Sequence, residues 1–299
     1  MPRGSTPLVL PMPGNGDLAG RLARRLSAEV GALSVRRFPD GESYVRLLSN
    51  VAGRSVALVC TLDRPDDKLV PLYFLAATAR ELGAARVGLV APYLAYMRQD
   101  ARFQPGEGVT SAQFARLLSS AVDWLVTVDP HLHRVATLAE IYQVPAVAVA
   151  AAPAIAAWVR AHVAEPLVVG PDSESEQWVR AVADAAGAPC VVLAKVRRGD
   201  REVEVSLPDV ARWRGRTAVV VDDIISTAGT MIETVGHVRR AGFVEPICIG
   251  VHAVFASDAY SELLAAGAAR VVTCDTVLHA SNAIALDEPI AAQVGPLLG

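Results

Sequence analysis

Lysine is almost missing from this chain: Lys68 and Lys195 are the only two in 299 residues, and arginine supplies the remaining basic side chains. Scarcity of this kind marks both positions for scrutiny. Cysteine is also sparse. Cys60, Cys190, Cys248 and Cys274 are scattered, mostly within apolar runs, and no pair has the spacing of a metal site or a redox motif. They are expected to be buried free thiols, which fits a reducing, cytoplasmic setting. Excess charge of one sign is lacking as well. A formal net charge of −3 gives no basic surface for nucleic acid. The longest nearly apolar segment, Val144–Val159, is interrupted by Pro145 and Pro153, so no membrane span is expected. Residues Met1–Leu10 lack a basic region followed by a long apolar stretch, so no signal peptide is expected. No short solenoid-type repeat occurs. No Gly-Lys-Ser/Thr phosphate loop occurs, and the glycines of Pro13–Gly20 miss the dinucleotide-binding spacing by one residue.

What the chain does contain is apolar material, 52% of residues against 20% charged, at a length that suggests about two domains. Short β-branched runs alternate with segments of helical period. Strands are predicted at Pro7–Leu10, Ser55–Cys60, Arg86–Ala91, Trp124–Val128, Leu167–Gly170, Cys190–Ala194, Thr217–Val221, Ile247–Val251 and Arg270–Cys274. Continuous apolar strands alternating with amphipathic helices imply an α/β fold with mainly parallel sheets flanked by helices. The Ala- and Pro-rich stretch around Val144–Pro153 separates two halves, giving domains at 1–148 and 149–281. The segment 282–299 is too short for a domain and is expected to dock back on the first.

Ligand sites in such folds lie beyond the carboxyl ends of the strands. The most informative segment is Ala218–Thr230, an apolar strand running into Asp222 and Asp223, then a small-residue loop, then a helix. Backbone N–H groups of Ser226, Thr227, Ala228, Gly229 and Thr230 can converge on a phosphate at the helix N-terminus. The hydroxyls of Ser226, Thr227 and Thr230 add donors, and Gly229 allows close approach. Asp222 and Asp223 would repel a phosphate and suit sugar hydroxyls or a divalent cation beside it.

This segment resembles the signature of phosphoribosyltransferases and phosphoribosyl pyrophosphate synthases, in which it binds ribose 5-phosphate. Two further segments, Arg37–Glu42 and Tyr93–Asp100, resemble motifs of the ribose-phosphate pyrophosphokinase family that a phosphoribosyltransferase lacks. The resemblance runs from about Leu8 to about Thr276, in order and with matching spacing. It implies two phosphoribosyltransferase-like halves and an ATP site built from Arg98, Gln99, Arg102 and His131. Phe38, Asp40 and Glu42 would receive the adenine, often from a neighbouring subunit, which implies a homo-oligomer. Taken alone, Phe38–Glu42 reads as a turn between strands. Val128–His133 resembles the family segment whose His contacts ATP and magnesium, which falls on His131. Val169–Ser173 resembles the segment that makes Asp172 a magnesium ligand, and Mg2+ is the implied cofactor. Leu193–Arg198 resembles the catalytic flexible loop, placing Lys195 and Arg197 over the transferred group.

Some positions depart from the usual bacterial pattern. Ser226 stands where many members carry Asp, in an Ile-Ile-Ser-Thr form closer to archaeal members. Ser173–Glu176 replaces a small-residue run, and Pro130 alters the His segment. The implied reaction is pyrophosphoryl transfer from Mg-ATP to the anomeric hydroxyl of ribose 5-phosphate. A non-catalytic regulatory homologue or a phosphoribosyltransferase are the alternatives.

Overall fold

The computed structural model describes residues 5–198, 202–206 and 211–299. Contacts divide the chain into two compact units: Met1–Ala150 with Asp287–Gly299, and Ala151–Leu286. The sequence reading cut the chain at 148 and 281. The second boundary moves because Asn282–Ile284 pairs with a strand of the second unit, so only Asp287–Gly299 joins the first.

In the first unit, β1 (Leu8–Pro11), α1 (Gly16–Leu26), β2 (Glu29–Val30), β3 (Leu33–Arg37), β4 (Ser43–Leu47) and β5 (Ser55–Val59) are followed by α2 (Pro65–Glu81), β6 (Arg86–Ala91), α3 (Thr110–Ala121), β7 (Trp124–Val128) and β8 (Ala146–Val149). The sheet runs β2-β1-β5-β6-β7-β8 and is parallel throughout, while β3 and β4 form a separate antiparallel ribbon. The second unit contains α4 (Ala152–His162), β9 (Pro166–Gly170), α5 (Glu176–Ala186), β10 (Cys190–Val192), β11 (Ala194–Arg198), β12 (Glu202–Ser206) and β13 (Thr217–Ile225). It continues with α6 (Gly229–Arg240), β14 (Ile247–Ala253), α7 (Ala259–Ala265), β15 (Arg270–Cys274) and β16 (Asn282–Ile284). Its sheet runs β10-β9-β13-β14-β15-β16, again all parallel, with β11 and β12 as a separate ribbon. With the ribbons set aside, both sheets have the order second-first-third-fourth-fifth-sixth. The same topology therefore occurs twice, each time with a ribbon inserted between the second and third strands. The final helix, α8 (Asp287–Val294), packs on α1 of the first unit.

Both faces of each sheet are covered, which is why the central strands are apolar without alternation. Leu8, Leu58, Leu89 and Leu125 are fully buried in the first unit, as are Val168, Val219 and Ile249 in the second. The tightest packing is at Gly88, which pairs with Trp124 across β6 and β7. A Cβ at Gly88 would lie 1.8 Å from the indole.

The α8 helix is held by its first residue. Arg21 Nε bonds Asp287 Oδ1 at 3.2 Å, and Arg25 Nε bonds the other oxygen. Burial alone would raise the Asp287 carboxyl, but the Arg25 and Arg21 guanidiniums outweigh it and hold the group below the ordinary carboxylate range.

Two consequences can be measured. Gly88→Ala should lower unfolding free energy by about 3 kcal/mol, because the displaced indole fills its layer of the core. Asp287→Asn should cost about 1–2 kcal/mol at neutral pH, the half-exposed arginines keeping it modest. Because the folded carboxyl is depressed, its contribution is complete above the unfolded value near pH ~4 and fades as pH falls through the folded value. Thermal melts of wild type and Asp287→Asn should therefore converge in acid and separate at neutral pH.

Candidate active site

In the second unit, strand order reverses between β9 and β13, so chain connections leave in opposite directions and open a crevice at the carboxyl ends. The loop after β13 and the turn after β9 flank this point. The structure extends β13 beyond the predicted end at Val221, through Ile225, so Asp222 and Asp223 lie within the strand. Asp222 pairs with Gly250 of β14, and a Cβ at Gly250 would sit 2.6 Å from Ile225. The glycine thus lets Ile225 fold over the ladder and the pairing continue.

Three carboxylates gather here. Burial raises the Asp222 carboxyl well above its ordinary value, and the charges of Asp223 and Asp172 push it further. The backbone N–H of Asp223 donates to Asp222 Oδ1 at 3.0 Å. Asp172 caps a short turn over Ser173–Ser175, its Oδ1 accepting from the N–H groups of Glu174 and Ser175 at 3.0 and 3.1 Å. Both bonds fall on one oxygen, and the turn does not use the other.

The loop Ser226–Ala228 delivers the chain into α6 at Gly229. Ala228 stands at φ 58°, a left-handed conformation rare for a residue with a Cβ. No side chain among the described residues caps the helix N-terminus. Ala256 N–H donates to Ser226 O at 3.1 Å and anchors the loop. An aromatic group from the neighbouring connections, Phe255, Tyr260 and His279, packs together with Phe255–His279 centroids 4.6 Å apart. The sequence reading missed this cluster, since His279 follows β15 whereas Phe255 and Tyr260 precede that strand.

Lys195 and Arg197 lie in β11, paired with Val205 and Val203 of β12; their side chains lie outside the described residues. The polar stretch 199–204 that follows, expected as a mobile loop, is strand from Glu202 onward, and residues 199–201 lie outside the described residues. Valines at 196, 203 and 205 give this stretch β-propensity that its charges obscured.

In the first unit, Phe38–Glu42 is the tip of the β3–β4 ribbon. Phe38 N–H donates to Glu42 O at 2.8 Å, Glu42 N–H to Asp40 Oδ1 at 3.1 Å, and Gly41 takes φ 94°. The turn expected from the residues alone is therefore present, and Phe38 and Tyr44 project beside it with Arg36 over both rings. Arg98, Gln99 and Arg102 follow β6. Gln99 N–H bonds Tyr96 O at 3.0 Å, its Oε1 accepts from the Thr110 hydroxyl, and Arg102 Nε bonds Glu107 O at 2.9 Å. His131 follows β7 with φ 53°, next to Asp129 at φ 30°, and its ring meets His133 edge-on at 4.1 Å. The connections after β6 and β7 are tied by Arg134 to the nearly buried Asp100 at 2.8 Å. Asp100 ends the Arg-Gln-Asp motif, yet its structural partner 34 residues away could not be read from spacing.

Comparison with known proteins agrees with this arrangement. Residues 8–121 match the family model of the N-terminal domain of ribose phosphate pyrophosphokinase, and residues 137–289 match that of the phosphoribosyl transferase domain. The ribose-phosphate pyrophosphokinase of Methanopyrus kandleri is 37% identical over 285 residues, covering 94% of this chain and 96% of that protein. That of Methanothermobacter thermautotrophicus is 34% identical, covering 93% and 95%. That of Sulfolobus acidocaldarius is 32% identical, covering 92% and 95%. The crystal structure of phosphoribosylpyrophosphate synthetase from Mycobacterium smegmatis superposes with a TM-score of 0.84 over 98% of this chain and 99% of that one, at 23% identity, and so shares the fold. The chain belongs to the ribose-phosphate pyrophosphokinase family.

Proposed function

We propose that this protein transfers the pyrophosphoryl group of Mg-ATP to the anomeric hydroxyl of ribose 5-phosphate, giving phosphoribosyl pyrophosphate and AMP. The observation that carries this reading is the pairing, in one chain, of an uncapped helix N-terminus beside strand-end carboxylates with the Arg98–Arg102 and Phe38–Glu42 segments. A phosphoribosyltransferase has use for the first and none for the others.

In the second unit, the N–H groups and hydroxyls of Ser226–Thr230 hold the 5-phosphate, where helix dipole and unpaired donors favour an anion. Asp222 and Asp223 accept from the ribose hydroxyls. In the first unit, Arg98, Gln99, Arg102 and His131 bind the nucleotide, the guanidiniums matching phosphate oxygens. Phe38 presents an aromatic face for the purine, with Asp40 and Glu42 accepting from the base. Lys195 and Arg197 neutralise charge on the migrating group, the main demand of phosphoryl transfer.

Magnesium suits the donor set. Asp172 has an oxygen its turn does not use, and burial, with the charges of Asp223 and Asp172 adding to it, drives up the Asp222 proton affinity, a repulsion that a hard divalent cation relieves. Asp172 is the residue of the second unit assigned to it, and when bound it supplies charge neutralisation on the phosphate chain.

A homo-oligomer is part of the same reading. One face of α2 buries Leu72, Leu75 and Ala76, while Val70, Tyr73 and Phe74 are 48%, 39% and 44% exposed on the other. A helix apolar on both faces calls for a partner, and a second copy of this chain is the partner proposed.

The reaction is tested by AMP release from Mg-ATP with and without ribose 5-phosphate, followed by phosphorus NMR. Ribose-dependent AMP with a new diphosphate signal is expected; its absence from folded protein would favour the regulatory homologue. Lys195→Ala should cut kcat at least about 100-fold while leaving ribose 5-phosphate affinity within about threefold. Equal loss in both would remove its transition-state role. Sedimentation should show an oligomer that Phe74→Glu dissociates, and a wild-type monomer would overturn that part.

A further inference from the structure

Two adjacent acids open α2, and neither belongs to any segment assigned a role above. Asp66 Oδ1 accepts the Tyr96 hydroxyl. Asp67 accepts from Arg37 Nη2 at 2.8 Å, and the same nitrogen reaches the Asp67 carbonyl at 3.4 Å. Tyr96 stands two residues before Arg98 and three before Gln99; Arg37 immediately precedes Phe38. A single helical turn therefore grips both stretches of the first unit that the proposed function gives to ATP. We propose that Asp66 and Asp67 are positioning residues for nucleotide binding, Asp66 acting through Tyr96 on Arg98 and Gln99, and Asp67 acting through Arg37 on the Phe38–Glu42 turn.

Geometry around Tyr96 supports the first link. Tyr96 is held at φ 64°, a conformation that costs a residue with a side chain energy unless its surroundings impose it. Its carbonyl accepts from Gln99 N–H at 3.0 Å, which closes the turn that aims Arg98. Its ring packs on Phe114 with centroids 4.9 Å apart, and its hydroxyl is fixed by Asp66. The bond to Asp66 raises the Tyr96 phenol above its ordinary value, so it stays a donor through the whole working range. Ring and hydroxyl together leave the residue one orientation, and the left-handed backbone follows from it.

The second link closes a cleft. Arg37, Glu42, Asp66, Val70, Pro71 and Phe74 line a cleft of about 540 Å³ between the ribbon and α2. The inner side chains of the ribbon, Leu33, Val35, Val45 and Leu47, pack on the core of the unit, but its tip extends past them. Across the cleft, the Arg37–Asp67 pair ties the approach to that tip. The pair is exposed and worth little as stability. Its effect is on where Phe38 stands, and a constraint on position needs less energy than a constraint on folding.

This inference rests on the proposed ATP roles, and the experiment separates the two. Steady-state kinetics would be measured for Asp66→Ala, Asp66→Asn, Tyr96→Phe, the double variant Asp66→Ala/Tyr96→Phe, Asp67→Ala and Arg98→Ala, with melting temperatures as a control for folding. Asp66→Ala and Tyr96→Phe should each raise KM for ATP about fivefold to tenfold, with KM for ribose 5-phosphate within about twofold. The double variant should be no worse than either single one, because both remove the same link. Asp66→Asn, whose amide oxygen still accepts from the phenol, should restore most of the affinity. Asp67→Ala should raise KM for ATP by about two- to threefold. If Arg98→Ala weakens ATP while Asp66→Ala and Tyr96→Phe do not, positioning is wrong and the ATP assignment survives. If Arg98→Ala leaves KM for ATP unchanged, the ATP assignment fails and this inference fails with it.

Discussion

The repulsion among Asp172, Asp222 and Asp223 at the carboxyl ends of β9 and β13 is the constraint around which the second unit is arranged. Burial raises the proton affinity of Asp222, and the charges of Asp223 and Asp172 beside it raise it further, so the three acids cannot all ionise comfortably. Strands β9 and β13 carry no basic side chain of their own, and the ligands proposed above would add relief. Sugar hydroxyls donate to carboxylates, and a divalent cation neutralises them. A phosphate does neither, and the loop proposed for it, Ser226–Thr230, stands a few residues on, at the start of α6. Parallel strands make this separation possible, because every strand delivers its carboxyl end to the same edge.

The fold occurs twice but the loop proposed for phosphate once, and the difference lies in a few residues. The first unit's counterpart of the β13–α6 connection is β5, Cys60–Arg64 and α2. There Pro65 takes the first helical position and contributes no N–H, and Asp66 and Asp67 put negative charge where an anion would sit. Lys68, one of the chain's two lysines, is held by the Thr61 carbonyl at 2.9 Å and by Asp63. The rarity that drew attention to it therefore marks a structural tie, whereas Lys195 falls on the ribbon expected to close over the reaction. A helix start that repels phosphate is free to grip neighbouring segments instead.

Much of this was legible in the sequence because the signals were local. Arg86–Ala91, Trp124–Val128 and Arg270–Cys274 are strands with the predicted bounds, since a fully buried parallel strand is an unbroken apolar run. The acid pair in β13 and the hydroxyl run after it were readable for the same reason. The ribbon β3–β4 was not, because Leu33–Arg37 and Ser43–Leu47 are only partly buried and alternate with charge. The end of β13 was misplaced because acids usually end a strand, and only the glycine opposite, Gly250 on another strand, permits it to continue. Tyr96–Asp66, Arg134–Asp100 and the Phe255–Tyr260–His279 cluster all join separate segments, so no spacing rule reveals them.

The two ribbons occupy the same place in their units for a physical reason. The second strand of each sheet, β2 or β10, lies at the edge and is only two or three residues long, so the chain leaves the ladder early. It must then travel past the first strand to reach the third, and a ribbon can grow from that crossing without disturbing the core. A two-stranded ribbon alone is marginal in water. In the first unit the inner side chains rest on the core and Asp67 holds the approach to the tip, so Phe38 projects from a fixed base rather than a loose one. An aromatic ring that must meet a purine gains affinity chiefly by being in place beforehand, because ordering a free loop would consume part of the stacking energy. On this argument the first turn of α2, to which the proposal gives no contact with substrate, sets how much of that energy is available for binding.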